Sequence, residues 1–134
     1  MEERLIYNAI KTPDGTILHS KQQHDFVTHV DENSKTYGID GGNSYRRLIG
    51  DHQDCEDLSL YDDGKHETRR TYLHWSRNYD ENMVKLPNTE WIPIKDMSTG
   101  HIEAILNGGW TSEGSYYNGI FKEELKFRKD DQGN

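Results

Sequence analysis

A short polar segment carries residue types that bind phosphate and stack on a nucleobase. It reads Asp40-Gly41-Gly42-Asn43-Ser44-Tyr45-Arg46-Arg47 and follows an alternating, strand-like run. The two glycines permit positive φ angles, and successive N–H groups in such a turn can form a concave nest for an anion. An arginine fork matches phosphate oxygens, and a tyrosine ring offers a stacking face. The alternative interpretation is a tight turn followed by solvated arginines.

A second group of planar and cationic residues lies between residues 69 and 77. A nucleotide needs stacking faces for its base and cationic forks for its phosphates, and the two groups together supply both. We therefore predict that both contact a nucleotide-type ligand. The predicted contacts are Asp40, Gly41, Gly42, Tyr45, Arg46, Arg47, Arg69, Arg70, His74, Trp75 and Arg77. The alternative is that Trp75 and Tyr72 are core residues and that the arginines pair with acids at residues 51–63.

Sequence signatures of enzymes are mostly absent. There is no Gly-x-Ser-x-Gly elbow, no Walker loop and no His-Glu-x-x-His pair. The triplet His101-Ile102-Glu103 imitates a zinc deaminase, but that site also needs a pair of cysteines and the chain has 1. We predict that the protein is not an enzyme and uses no cofactor. A small nucleotide-cleaving enzyme that uses His24 with Asp25, or His74, as acid and base stays open as an alternative.

The 7 histidines of the chain justify a test for a metal site. The best local candidates are His24, Asp25, His29 and Asp31. His24 and His29 are five residues apart, so a regular strand directs their side chains to opposite faces. They cannot then bind one ion together, and we predict no metal site.

The composition describes a small acidic chain. It has 134 residues, a formal net charge of −8 and a mean hydropathy of −1.06. This charge argues against a general nucleic-acid binder, whose affinity comes largely from Lys and Arg. Six acids and no Lys or Arg lie between Asp51 and Asp63, which is typical of a solvated loop. The same acidic segment could instead bind a basic partner and inhibit an enzyme by protein–protein contact.

Length and cysteine content constrain organisation and compartment. The length suits a single domain, expected over residues 1–130, with a flexible tail at residues 131–134. A modest core makes a homodimer or higher homo-oligomer plausible, because association buries surface that a monomer exposes. A single cysteine cannot form an intrachain disulfide, which favours the cytoplasm. No apolar run reaches the ~18 residues of a membrane span, and residues 1–4 lack a signal-type start, so we expect no membrane partner.

Alternating and β-branched runs predict two N-terminal hairpins. Residues 4–10 and 16–19 flank a turn with Pro-x-Gly chemistry. Residues 25–30 and 36–40 flank a polar turn. Together they predict an antiparallel sheet of about four strands.

The middle of the chain gives weaker signals. Apolar residues at i, i+3 and i+4 predict a short helix over residues 43–49, capped by Asn43 or Ser44. Residues 51–64 are expected to be loop with one short strand, and residues 65–75 favour a helix. Residues 77–86 are polar and expected to be mobile, and residues 91–94 are expected to be extended.

The C-terminal third predicts two helices. Ser98 fits the N-cap of the first, which Gly108 and Gly109 end, and Thr111 or Ser112 fits the N-cap of the second. The apolar faces are Ile102, Ile105 and Leu106 in the first helix, and Tyr117, Ile120, Phe121 and Leu125 in the second. The predicted fold class is therefore α+β, an N-terminal antiparallel sheet of about four strands packed with two or three helices, the clearest two of them C-terminal.

An ordered combination of short motifs runs over most of the chain. The motifs are Leu5-Ile6-Tyr7-Asn8, Thr12-Pro13-Asp14-Gly15-Thr16, His24-Asp25, Asp40-Gly41-Gly42 with Tyr45, His74-Trp75 and His101-Ile102-Glu103-Ala104-Ile105-Leu106. In this order they resemble a family of small proteins encoded by tailed bacteriophages and prophages. Size, acidity and the lack of catalytic motifs are also similar to phage anti-defence proteins, in particular the Thoeris anti-defence sponges that trap a cyclic ADP-ribose isomer.

This resemblance implies a function and a setting. The protein would bind a cyclic nucleotide immune signal, either a cyclic ADP-ribose isomer or a cyclic oligonucleotide, and sequester it without cleavage. The resemblance also implies a homo-oligomer that holds the ligand at subunit interfaces in the host cytoplasm. It transfers no individual contact residues, so the contacts predicted above rest on the chemistry of the side chains alone.

Overall fold

The computed structural model describes residues 4–80 and 82–132, and it confirms a mixed α+β fold. The chain divides into two compact units, Met1–Asp63 and Gly64–Asn134, which are described one at a time. The single domain expected over residues 1–130 stays a prediction. Residues 131 and 132 of the expected tail belong to the last helix, and residues 133 and 134 lie outside the described residues. Within the described ranges, no helix is both long and apolar enough to cross a membrane.

The first unit is built from short strands. They are β1 (Leu5–Lys11), β2 (Ile17–Ser20), β3 (Val27–Val30), β4 (Thr36–Asp40), β5 (Arg47–Gly50), β6 (Glu56–Asp57) and β7 (Leu60–Tyr61). Strand β1 lies between β2 and β6 and also pairs with β7, while β3, β4 and β5 form a separate antiparallel sheet. Both predicted hairpins are confirmed, and each belongs to a different sheet.

The core of this unit is formed by inward-facing residues of both sheets. Its buried members are Ile10, Leu18, Tyr37 and Ile39, with Val27, Leu48 and Cys55 packed against them. Burying one such aliphatic or aromatic side chain stabilises a fold by about 1.5–3 kcal/mol. Alternation along β4 directs Gly38 to the opposite face, where a Cβ would lie 2.8 Å from the ring of Phe26.

The prediction of a helix over residues 43–49 is wrong. The chain instead forms β5, whose Leu48 and Ile49 pair with Ile39 and Gly38 of β4. Pairing with β4 satisfies the backbone of this segment, and Leu48 packs on the core while Ile49 is exposed. The helical spacing of the apolar residues was therefore misleading, because the inside–outside pattern that matters here has period two.

The second unit combines three helices with one hairpin in its described part. Its elements are α1 (His66–Tyr72), β8 (His74–Tyr79), β9 (Lys85–Pro93), a 3-10 turn at Ile94–Asp96, α2 (Thr99–Asn107) and α3 (Tyr116–Gln132). Strands β8 and β9 pair with each other in an antiparallel ribbon. The extended segment predicted at residues 91–94 is confirmed as far as Pro93, where β9 ends.

Two expectations for this unit need correction. The helix favoured over residues 65–75 ends at Tyr72, and β8 begins at His74. The segment 77–86, expected to be a mobile loop, contributes to both strands of the ribbon. The turn between these strands is closed by the Asp80 carboxylate, which accepts hydrogen bonds from the N–H groups of Asn82 and Val84, each at 2.9 Å. Glu81 lies outside the described residues.

The C-terminal helices are confirmed, with one cap displaced. Ser98 caps α2 by accepting a hydrogen bond from the N–H of His101 at 3.1 Å. Helix α3 begins at Tyr116, so the caps predicted at Thr111 or Ser112 are wrong. Ser115 occupies the position before the helix, and its Oγ accepts a hydrogen bond from the N–H of Asn118 at 3.4 Å.

Candidate functional site

The glycine-containing corner after β4, residues 40–46, is attached to β1 by a buried asparagine. Asn8 is fully buried, and its Nδ2 donates to the carbonyl oxygens of Asp40, Gly42 and Tyr45 at 3.1, 3.0 and 3.0 Å. These carbonyls come from a segment more than thirty positions away in sequence, so Asn8 fixes the corner against the first sheet.

Both glycines of the corner are required by its geometry. Gly41 has φ of 109°, and a Cβ there would lie 2.0 Å from the carbonyl oxygen of Tyr45. Gly42 has φ of 52°, and a Cβ there would lie 2.3 Å from the backbone carbon of Gln22. No rotamer change relieves a clash with backbone atoms, so any larger residue at either position distorts the corner.

Four backbone N–H groups of the corner, where the sequence suggests an anion nest, are bonded within the protein. Gly41 N–H donates to Oδ1 of Asp40 at 2.8 Å, and Gly42 N–H donates to Oγ of Ser20 at 2.9 Å. The N–H groups of Ser44 and Tyr45 both donate to the carbonyl of Gly41. These four donors are engaged within the protein, so none of them is available to an anion.

Asp40 and Arg47 form an ion pair beside the corner. Asp40 is buried, and its Oδ2 accepts from Nη2 of Arg47 at 2.7 Å and from the hydroxyl of Tyr45 at 3.3 Å. A charge-assisted bond of this length orders Asp40 and one edge of the guanidinium. The prediction that Asp40 and Arg47 contact a ligand stays a prediction, and the observed partner of Arg47 is Asp40.

Arg46 is held in place by two hydrogen bonds, and its side chain is 22% exposed. Its Nε donates to Oγ of Ser59 at 2.8 Å, and its Nη2 donates to Oδ1 of Asp57 at 2.9 Å. Ser59 is itself bonded to the backbone of Ala9 in β1. Among the described residues, the N–H groups on Nη1 of Arg46 have no hydrogen-bond partner. The side chain is thus oriented before any ligand arrives.

A groove of about 540 Å³ opens beside Arg46. Its lining residues are Arg4, Leu5, Asn43, Ser44, Tyr45, Arg46 and Tyr61, and we call it the corner groove. Tyr45 and Tyr61 line it and are 40% and 44% exposed as whole residues. Its volume lies in the range of about 300–1,000 Å³ that small-molecule sites occupy.

The corner groove therefore combines aromatic rings, a fixed arginine and small polar side chains. No protein-family model, curated protein or solved structure matches this chain. The phage resemblance thus stays an expectation from short motifs. A functional argument has to rest on the groove and its chemistry.

The arginines predicted to bind ligand in the second unit are all paired with carboxylates. The pairs are Arg69 with Glu123 at 3.6 Å, Arg70 with Glu124 at 2.8 Å and Arg77 with Glu90 at 3.1 Å. Arg70 binds Glu124 through both Nε and Nη2, which is a bidentate geometry. A contact with ligand phosphate stays a prediction for these residues, and the observed pairs favour a structural role for Arg70.

The aromatic candidates of the second unit are also engaged in the fold. The Trp75 ring lies 5.1 Å from the ring of Phe121 and 5.5 Å from that of Tyr117, both with edge-on geometry. Nδ1 of His74 lies 3.0 Å from the carbonyl oxygen of Tyr72. The alternative that treated Trp75 as a packed residue fits these contacts.

The most connected polar group of the second unit is a carboxylate that the sequence did not single out. Glu124 is fully buried and accepts hydrogen bonds from Arg70, from Nε of Arg128 at 2.6 Å and from Nε2 of His66 at 2.8 Å. Burial raises the pKa of Glu124, but the bonds from Arg70, Arg128 and His66 outweigh it and lower the pKa to about 2. Glu124 is therefore ionised at neutral pH and acts as an acceptor only. We call these four residues the Glu124 cluster.

Two of the acid–base and metal candidates, Asp25 and His29, are engaged in contacts of the fold. Oδ2 of Asp25 accepts from the N–H of Lys21 at 2.9 Å and closes a turn, while His24 is exposed. Nε2 of His29 lies 2.8 Å from Oδ2 of Asp14. Within residues 4–80 and 82–132, no group of three or more His, Cys, Asp or Glu is arranged to hold a metal ion.

Sequence reasoning missed part of the groove and its support. Arg4 and Tyr61 line the groove because β1 and β7 pair, with Leu5 opposite Tyr61. Nothing in the sequence indicates that pairing, since β7 is only two residues long. Asn8 carried a signal, because a polar residue in an otherwise apolar strand usually has a specific buried partner.

Proposed function

We propose that the protein binds a nucleotide-type ligand in the corner groove and retains it. The observation that carries this proposal is the position of Arg46, which is fixed by Ser59 and Asp57 beside two exposed tyrosine rings. Stacking of a base on an aromatic ring contributes about 1–3 kcal/mol. A hydrogen bond between a guanidinium and a phosphate contributes about 1.5–3 kcal/mol. Both contacts suit the same ligand class.

Retention without cleavage is the form of binding that this lining supports best. Among residues 4–80 and 82–132, the side chains that line the corner groove include no histidine and no carboxylate that would act as a general base. In the phage setting that the sequence resembles, such a protein would sequester a cyclic nucleotide immune signal in the host cytoplasm. A homo-oligomer would add ligand contacts across its subunit interface.

Calorimetry with the full chain tests the proposal. The ligands are cyclic ADP-ribose isomers and cyclic oligonucleotides, with a non-nucleotide sugar phosphate as control. After saturation the complex is heated and the released ligand is identified by mass spectrometry. We expect binding of at least one nucleotide and recovery of the intact compound. Absence of binding to all of them refutes the proposal, and recovery of a chemically altered ligand favours the enzyme alternative.

A second candidate function is inhibition of a basic protein by the acidic segment at residues 51–63. Five of its six acids are exposed, and they are Asp51, Asp54, Glu56, Asp57 and Asp63. Strand β6, with both residues exposed, lies at the edge of the first sheet. A pull-down from bacterial lysate compares the wild-type protein with a Glu56→Gln, Asp54→Asn variant. A partner captured only by the wild type supports this candidate, and no partner counts against it.

A further inference from the structure

A fixed negative charge lies next to the arginine of the corner groove. Oδ1 of Asp57 accepts hydrogen bonds from Nη2 of Arg46 and from the N–H of Ser59, each at 2.9 Å. These two bonds hold the carboxylate beside one edge of the guanidinium, although its side chain is 63% exposed. Any phosphate that binds the remaining N–H groups of Arg46 must therefore lie close to Asp57.

The charge of the ligand phosphate decides how strongly Asp57 weakens its binding. A phosphodiester carries one negative charge, whereas a terminal phosphate monoester carries about 1.5 to 2 at neutral pH. We take the effective dielectric constant to lie between that of water and half that value. Each additional unit of negative charge roughly 6 Å from an exposed carboxylate then weakens binding about three- to tenfold. Asp57 consequently penalises a monoester more than a diester.

We infer that Asp57 is a specificity-determining residue of the corner groove and selects phosphodiester-linked nucleotides over terminal phosphate monoesters. This inference rests on the function proposed above. A cyclic oligonucleotide contains only phosphodiester linkages, so the selected class includes it and excludes linear products that end in a phosphate monoester. The groove would then release a signal once its ring has been opened to a monoester.

Asp57 has two effects, and they are separable. Its bond to Arg46 also orients the guanidinium, so its removal loosens the site for every anionic ligand to a similar degree. The electrostatic penalty, in contrast, differs between monoester and diester. The ratio of two dissociation constants therefore isolates the electrostatic effect from the positioning effect.

The test uses 3′,5′-cyclic AMP and 5′-AMP, which share one adenine and one phosphate. Dissociation constants are measured by NMR titration at pH 7.5 for the wild-type full chain, Asp57→Asn and the control Asp54→Asn. Asp54 is an exposed acid of the same segment, so its replacement makes the same change in net charge. We expect the Kd ratio of 5′-AMP to cyclic AMP to fall about three- to tenfold in Asp57→Asn and to stay constant in Asp54→Asn.

The outcomes distinguish this inference from the proposed function. An unchanged ratio in Asp57→Asn, with binding retained, overturns the inference and leaves the proposed function standing. A fall of the same size in Asp54→Asn also overturns it, because net charge alone then explains the effect. If the wild type binds no nucleotide in either the NMR titration or the calorimetry, the proposed function and the inference both fail.

Discussion

Replacing Glu124 by glutamine should destabilise the second unit and change its response to acid. The carboxylate binds two guanidinium groups and one imidazole without any exposure to solvent. An amide of the same size carries no charge and offers one acceptor oxygen. The variant therefore leaves Arg70 and Arg128 without their shared counter-ion, which costs far more than the loss of one neutral hydrogen bond.

The magnitude follows from the pKa of this group. Burial raises the pKa of Glu124, and the bonds from Arg70 and its neighbours lower it from 4.5 to about 2. That net shift corresponds to about 3 kcal/mol of stability from the ionised form. Because the folded-state pKa is lowered, this stability is present in full above pH 4.5 and is lost as the pH falls toward 2. At pH 7 we expect Glu124→Gln to lower the free energy of unfolding by about 3–5 kcal/mol.

Urea unfolding followed by tryptophan fluorescence measures this effect. All three tryptophans, Trp75, Trp91 and Trp110, lie in the second unit, so their emission reports its unfolding. The matched control is Glu123→Gln, next in sequence. Its carboxylate is about half exposed and lies 3.6 Å from Arg69, so its removal should cost less than about 1 kcal/mol.

Two results would refute this reasoning. The first is a Glu124→Gln variant within 1 kcal/mol of the wild type at pH 7. The second is a wild type and a Glu124→Gln variant that lose the same stability between pH 5 and pH 2.5, since the variant lacks the group that titrates there. Asp14 and Asp31, whose pKa values are also lowered by hydrogen bonds, contribute equally to both proteins.

Three further predictions concern single residues that hold the backbone of the two units in place. Asn8→Ala should cost about 2–3 kcal/mol because the carbonyls of Asp40, Gly42 and Tyr45 lose the two N–H donors that they share, and a loss below 0.5 kcal/mol in urea unfolding would contradict that role. Gly41→Ala should destabilise the first unit by more than about 2 kcal/mol, whereas Gly15→Ala, whose Cβ meets no atom within 4 Å, should cost about 1 kcal/mol, and equal losses would argue against the clash. Ser98→Ala should cost about 1 kcal/mol and Ser112→Ala almost nothing, and the reverse order would contradict the assigned caps.

The parts of the fold that the sequence predicts correctly are those encoded by neighbouring residues. The first hairpin follows from alternation around Thr12–Gly15, where Thr12 N–H and Gly15 N–H close the turn. The cap of α2 follows from Ser98, which binds a residue three positions later. Such contacts lie within a few residues of each other, so propensity and turn chemistry are sufficient to find them.

The parts that the sequence does not predict depend on distant contacts. Strand β5 forms because β4 is available to pair with it, and its own spacing favours a helix. The ribbon of β8 and β9 has a polar turn whose closure depends on the Asp80 side chain. In both cases tertiary pairing overrides local preference, which is common for short strands.

The same distinction applies to the candidate site. Tyr45 and Arg46 were predicted from their position after two glycines, and both line the corner groove. Arg4 and Tyr61 were not predicted to line the groove, because the pairing of β1 with β7 brings them to it. In the Glu124 cluster, His66 and Glu124 are 58 positions apart. Its sequence signal was an acid on the apolar face of α3, four positions after Ile120, which indicates a buried carboxylate with strong partners.

Titration of a nucleotide into the wild-type full chain and into Arg46→Gln tests the corner groove most directly. Lys122→Gln, whose amine is paired with Glu113 in the second unit, serves as the comparison. We predict that Arg46→Gln weakens binding by about 1.5–3 kcal/mol, or roughly ten- to hundredfold in Kd, while Lys122→Gln stays within about twofold of the wild type. Unchanged affinity in Arg46→Gln, alongside measurable binding by the wild type, would contradict the groove as the site.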